Sequence, residues 1–253
     1  MKVKWRGKVS EYLDSKVRAG ELVHLSLIDP AKVYDLKTLS EVARKLSDAG
    51  TDAFLVGGSI GVSESDVDAV VTTLGEVNKP VILFPGNVNG LSRMADAVLF
   101  MSLLNSDDPY YIIGAQIIGA PIIKKYGLEP LPTAYIVVGY GGTAGFIGKA
   151  RPLPIEKPEI GVAYALAAEF LGMKYIYLEA GSGSPEPITP QYVRYVRSNT
   201  SKSYLIVGGG IRKSEDITKI ADAGAHIIVT GNIIERDLTR AEELIKTVKQ
   251  IRY

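Results

Sequence analysis

Residues 203–232 read SYLIVGGGIRKSEDITKIADAGAHIIVTGN. Two β-branched runs, at 203–207 and 226–230, flank a segment from Ser214 to Ala223 with helical apolar spacing. Each run ends in glycine, first Gly208-Gly209-Gly210 and then Gly231. A strand, a glycine turn, a helix and a second strand make one parallel unit.

The same alternation extends back along the chain. Strands are predicted at 22–28, 53–56, 81–84, 97–101, 134–138 and 174–179. Helices are predicted between them, at 36–49, from Ser63, at 109–125, at 159–171 and from Pro190, with a closing helix at 238–251. Gly50 ends the first, Ser63 and Asp66 form a capping box, Asp108 caps before Pro109, and Thr189 caps before Pro190. The third helix shrinks to a short piece at 90–94. Residues 139–158, with five glycines and three prolines, read as a long loop of the kind that carries function. Eight strand–helix units in 253 residues, about 32 each, match a single-domain (β/α)8 TIM barrel spanning 1–253, modified at its third helix. An open dinucleotide-binding sheet would carry a glycine fingerprint after the first strand, where Asp29-Pro30 stands instead.

Composition narrows the chemistry. Twenty-nine Lys and Arg against 28 Asp and Glu leave a net charge of +1, which argues against nucleic acid as a partner. The chain has no Cys and two His, which removes disulfides, thiolate nucleophiles and His- or Cys-rich metal sites. The start of the chain is polar and lacks the apolar core of a signal peptide, and no stretch approaches a membrane span, so a cytoplasmic protein is expected.

In this fold the chemistry sits where strands end. The glycines after strands seven and eight suit a phosphate, because backbone N–H groups can approach an anion closely there. Glu179 ends strand six in phase with Tyr177, where a base belongs and where its surroundings would raise its pKa. Asp29 suits Mg²⁺, which takes one or two carboxylates and borrows other ligands from water and phosphate. Ser59, on the neighbouring loop, would add a ligand or touch a phosphate. Asp107-Asp108 lacks the spacing of a metal pair. His24 and His226 are expected to pack, and Trp5 to cover the barrel's bottom. The 109–125 helix, rich in Tyr and Ile, is apolar nearly all round. It either lines a hydrophobic groove or packs on another subunit.

Taken in order, Leu27-Ile28-Asp29-Pro30, Val56-Gly57-Gly58-Ser59, Phe84-Pro85-Gly86-Asn87, Asn105-Ser106 to Gln116, Tyr177-Leu178-Glu179-Ala180-Gly181-Ser182-Gly183, Val207-Gly208-Gly209-Gly210-Ile211-Arg212 and Thr230-Gly231-Asn232 resemble the geranylgeranylglyceryl phosphate synthase family over nearly the whole chain. The resemblance is to the archaeal, longer-chain branch; Leu27 stands where the bacterial heptaprenyl enzymes carry Lys. It implies a prenyltransferase that joins sn-glycerol 1-phosphate to geranylgeranyl diphosphate through an ether bond, releasing diphosphate, in archaeal membrane phospholipid synthesis. It implies Mg²⁺ as cofactor, held by Asp29 and Ser59. Tyr177, Leu178, Glu179, Ala180, Gly181, Ser182 and Gly183, with Gly209, Gly210, Gly231 and Asn232, would bind glycerol 1-phosphate, and Glu179 would be the catalytic base. A homo-oligomer and transient contact with a membrane surface are expected as well. Two alternatives stay open on the residues alone: a sugar-phosphate isomerase, epimerase or lyase on the same barrel, and a non-catalytic phosphate- or prenyl-binding barrel.

Overall fold

Each apolar run becomes a strand, and each strand pairs in parallel with the next. The computed structural model describes residues 5–58 and 60–253. The elements are α1 (Val9–Arg18), β1 (Val23–Ile28), α2 (Leu36–Ala49), β2 (Ala53–Val56), α3 (Glu64–Leu74), β3 (Val81–Leu83), β4 (Ala97–Leu103), α4 (Ala115–Tyr126), β5 (Glu129–Val137), α5 (Gly142–Ile147), α6 (Pro158–Phe170), β6 (Tyr175–Glu179), α7 (Pro190–Asn199), β7 (Tyr204–Gly208), α8 (Ser214–Asp222), β8 (Ile227–Thr230), α9 (Asn232–Arg236) and α10 (Leu238–Gln250). Strands β1 to β8 close in sequence order, with Val23 of β1 facing Ile227 of β8. The expected (β/α)8 barrel is the observed fold.

The period of two divides each strand between two cores. Leu25, Leu55, Ile82, Leu99, Tyr135, Tyr177, Ile206 and Val229 fill the barrel interior. The intervening residues, such as Val56, Leu178, Val207 and Ile228, pack outwards under the helices. Trp5 and Tyr12 pack on the inner cluster, and the Trp5 N–H donates to Asp96 just ahead of β4. They close the bottom, as expected for Trp5.

Local rules place most boundaries. Asp35 caps α2, which ends at Gly50 with φ 112°. The Ser63–Asp66 capping box at α3 is reciprocal, and Thr189 caps α7. Four expectations need correction. The short third helix at 90–94 is absent; a single 3-10 turn at Val88–Gly90 stands in its place, so the barrel has no α-helix between β3 and β4. The helix expected at 109–125 opens as a wide π turn over Tyr110–Gly114, although Asp108 does accept the Tyr110 N–H. The loop at 139–158 contains α5, and its backbone bridges to Ser106 and Val138. Helices α1 and α9 were not anticipated; α1 lies in the polar start of the chain ahead of the first strand, and α9 is only five residues long.

Candidate active site

Strand ends converge on a cleft at the C-terminal mouth. Its wall includes Asp29, Gly57, Gly58, Tyr177, Glu179, Ser182, Gly183, Gly209, Gly210, Gly231 and Asn232. Five separate sequence motifs thus meet in one place. An apolar groove adjoins it, lined by Val98, Leu99, Phe100, Leu103, Tyr111, Gly119, Ile123 and Ile147 among others.

Glu179 is the last residue of β6 and is 6% exposed. Its Oε1 accepts the Gly181 N–H at 2.6 Å, and Tyr135 and Tyr177 stand close enough to bear on its titration. Burial pushes the Glu179 pKa up, and the Gly181 N–H and the neighbouring Tyr135 and Tyr177 hydroxyls pull it partly back. Both tyrosines titrate well above a free phenol, first from burial and then from the Glu179 charge, so they remain donors at neutral pH.

Two glycines at the end of β7, Gly208 and Gly209, have a packing role alongside any part in anion binding. A Cβ on Gly208 would overlap the Tyr177 hydroxyl. On Gly209, whose φ is +86°, it would come 2.6 Å from Glu179 Oε1. The triplet therefore makes room for the base as well as for a ligand. Leu178 and Ala180 lie outside the cleft, buried in the outer core. Gly181 is buried and spends its N–H on Glu179. Ser182 and Gly183 are exposed at the rim, with Ser182 Oγ donating to Asn232 Oδ1 at 3.0 Å. That bond links the β6 and β8 loops where α9 begins.

Asp29 follows β1, half-buried, with its Oδ1 accepting the Ala31 N–H at 3.1 Å. Burial raises its pKa, and Lys32, 3.8 Å away, opposes the shift. A Cβ on Gly58 would overlap its carboxylate. The donor set suits a hard cation completed by phosphate and water oxygens; among the described residues no three carboxylates or histidines gather. Ser59 lies outside the described residues.

Several residues escaped the sequence reading. Tyr135 faces Tyr177 in register and Phe84 stacks on Tyr177. Two inward tyrosines on adjacent strands, in an interior that branched aliphatics usually fill, were the available signal. Arg212 donates to the Ser184 and Pro185 carbonyls at 2.7 and 2.6 Å, fastening the β7 loop to the β6 loop. Lys32, Glu235 and Arg236 also wall the cleft. The loop cations Lys149 and Arg151 pair with Asp108 and Asp107 at 2.8 and 2.9 Å. His24 is fully buried between Thr51 and Thr230, and His226 accepts the Leu205 N–H; both are packed, as expected. Helix α4 faces two ways. Gly119 and Ile123 line the groove, while Ile117 and Ile118 are exposed on its outside.

Comparison with known proteins adds a second line of support. The PcrB family model matches residues 15–252. A geranylgeranylglyceryl phosphate synthase of Sulfolobus acidocaldarius is 52% identical over 250 residues, 99% of this chain and 97% of that protein. One of Saccharolobus solfataricus is 54% identical over 248 residues, 98% and 97%. The crystal structure of (S)-3-O-geranylgeranylglyceryl phosphate synthase from Thermoplasma acidophilum, in complex with substrate sn-glycerol-1-phosphate, superposes with a TM-score of 0.91 at 36% identity, covering 96% of this chain and 99% of that one.

Proposed function

The chain belongs to the PcrB family, and from that premise we propose that it joins sn-glycerol 1-phosphate to geranylgeranyl diphosphate by an ether bond. One observation carries the reading. A buried carboxylate stands in a polar, glycine-walled cleft that opens directly into an apolar groove. A sugar-phosphate isomerase has no use for that groove, and His24 and His226 lie outside the cleft.

The residues divide the work. The rim of Ser182, Gly183, Gly209, Gly210, Gly231 and Asn232 holds the glycerol phosphate and orients its 3-hydroxyl. Glu179 takes the hydroxyl proton as the oxygen attacks the allylic carbon. The groove takes the C20 tail, where each buried CH₂ is worth about 0.8 kcal/mol. Asp29, with Ser59 as a candidate second ligand, would hold Mg²⁺, which when bound neutralises charge on the departing diphosphate. No described helix is long and apolar enough to cross a membrane. Contact with a membrane surface is proposed because the product is a lipid. The exposed Ile113, Ile117 and Ile118 support a homo-oligomer, to be checked by sedimentation of Ile117→Glu, which should lose assembly.

The direct test is incubation with sn-glycerol 1-phosphate, Mg²⁺ and a mixture of C10 to C35 prenyl diphosphates, followed by mass spectrometry of the organic extract. A C20 ether is the expected product. Absence of any ether from folded protein that binds phosphate would overturn the assignment.

A further inference from the structure

Asp29 and Lys32 belong to the turn that follows β1. Asp29 caps a 3-10 turn over Pro30–Lys32, and side chains three apart in such a turn lie on one side. Lys32 Nζ comes 3.8 Å from Asp29 Oδ2. It lies closer to Glu235 of α9, donating to Oε1 at 3.0 Å and to Oε2 at 2.8 Å. All three side chains wall the polar cleft. The Lys32–Glu235 pair ties the β1 loop to α9, across the place where the first and last strands meet.

An ion pair this exposed adds little to stability. Its geometry instead aims a positive charge. An ammonium has three N–H donors and no acceptor. Glu235 occupies two of them, and Asp29 lies beyond hydrogen-bond distance. One donor is left among the described residues, beside the carboxylate suited to Mg²⁺. Of the other cations on this wall, Arg212 is tied to carbonyls of the β6 loop, and Lys32 alone among the described residues forms an ion pair with Asp29.

The inference rests on the prenyl-transfer reading. In that reaction the allylic C–O bond breaks and its electron pair leaves on a diphosphate oxygen. The glycerol 3-hydroxyl oxygen forms the new C–O bond, and its proton passes to Glu179. The diphosphate gains one negative charge as it departs. An anion that shares a cation with Asp29 comes within reach of Lys32.

We propose that Lys32 binds the diphosphate of the prenyl donor and stabilises the charge that gathers on it as the C–O bond breaks. Glu235 is its positioning residue, holding the ammonium over the cleft and off the Asp29 carboxylate. Without Glu235 the ammonium settles on Asp29 and competes with Mg²⁺. A charge fixed beforehand in this way needs no rearrangement when the bond breaks.

The test reads binding of inorganic diphosphate to the full chain by calorimetry, over a series of Mg²⁺ concentrations. Lys32 is exposed on a turn, and Lys32→Met keeps its length without its charge. At saturating Mg²⁺ this variant should bind diphosphate about 10-fold more weakly than wild type or worse, the ratio carried by a charged hydrogen bond. Its affinity for glycerol 1-phosphate should stay at the wild-type value. Glu235→Gln should raise the Mg²⁺ concentration for half-maximal diphosphate binding about 5-fold. Adding Lys32→Met to Glu235→Gln should abolish that rise, because no ammonium is left to settle on Asp29. A merely structural role of Glu235 would not be reversed by a second substitution. Undiminished diphosphate affinity in Lys32→Met, or an equal loss for glycerol 1-phosphate, overturns the role of Lys32. So does a wild type that forms the ether yet binds no inorganic diphosphate. A Mg²⁺ requirement unchanged in Glu235→Gln, or still raised in the double variant, overturns the role of Glu235. A wild type that binds no diphosphate and forms no ether overturns the prenyl-transfer reading itself.

Discussion

Glu179 is costly to the fold in the form its chemistry requires. Burial raises its pKa in the folded protein, so the folded state favours the protonated acid. Stability from this group is greatest below the unfolded carboxylate value and is lost as pH rises through the raised folded value. Glu179→Gln should therefore match or exceed wild type in Tm at neutral pH while losing at least 10²-fold in turnover, with glycerol 1-phosphate binding retained. Thermal melts, steady-state kinetics and a binding titration check the three parts together. Turnover of the wild type should fall as pH drops through a midpoint above the ordinary Glu value of about 4.3. A second prediction at this scale concerns Gly58. A methyl group there would displace the Asp29 carboxylate, the far end of a movable side chain, so the fold should yield little. Gly58→Ala should weaken Mg²⁺ binding in the presence of diphosphate by about 10-fold or more, with Tm within a few degrees of wild type.

Helix α4 was apolar on every face in the sequence, and the structure gives each face separate work. Gly119 and Ile123 look into the groove while Ile117 and Ile118 remain exposed. A Cβ on Gly119 would meet Leu91, Val88 and Ile123 only at ordinary contact distances, 3.7–3.9 Å, so a larger side chain has room to enter the groove. Gly119→Leu should lower turnover with the C20 donor about 10-fold while sparing C10, since the intruding group takes the place of a few tail carbons. Competition among donors, read by mass spectrometry, measures this. Loss of turnover with every donor alike would show that the groove does not hold the tail. Helix α5 lies in the segment read as loop. Its anchor is the Gly141 N–H to Ala180 carbonyl bond, which seats it beside the β6 loop. Six residues between glycines offer too little periodicity to detect.

The two ends of the barrel divide stability and chemistry. At the bottom Asp52 is 2% exposed and is held by Lys249 Nζ at 2.8 Å, by the His24 N–H at 2.9 Å and more distantly by Lys16. Removing Lys249 leaves a buried carboxylate without its main counter-charge. Lys249→Ala should cost about 3 kcal/mol, read as a Tm drop of roughly 10 °C. Its kcat and KM should stay near wild type, because neither Lys249 nor Asp52 lines the cleft and the one link to it runs through the His24 ring to Thr230. A comparable loss of turnover in the folded variant would mean that the bottom cluster reaches the active site.

The sequence alone determined the barrel, because eight alternations of β-branched runs and helical spacing are local signals that tertiary contacts had no cause to override. It also determined that Asp29, Glu179 and the glycines of β6, β7 and β8 share one end, since every parallel strand delivers its last residue to the same mouth. Strand period placed Tyr177 beside Glu179, whereas Leu178 and Ala180, expected in the glycerol phosphate site, were turned into the outer core only in the structure. Tertiary structure decided the rest. Tyr135 became a partner of Glu179 only through the register between β5 and β6, and Gly208 and Gly209 acquired their packing role only when Tyr177 and Glu179 arrived against them. The missing third helix, the two-sided use of α4 and the junction of groove and cleft depend on which surfaces meet across the barrel. Hydrophobic pattern specifies that a face is buried; the contacts between distant segments specify against what.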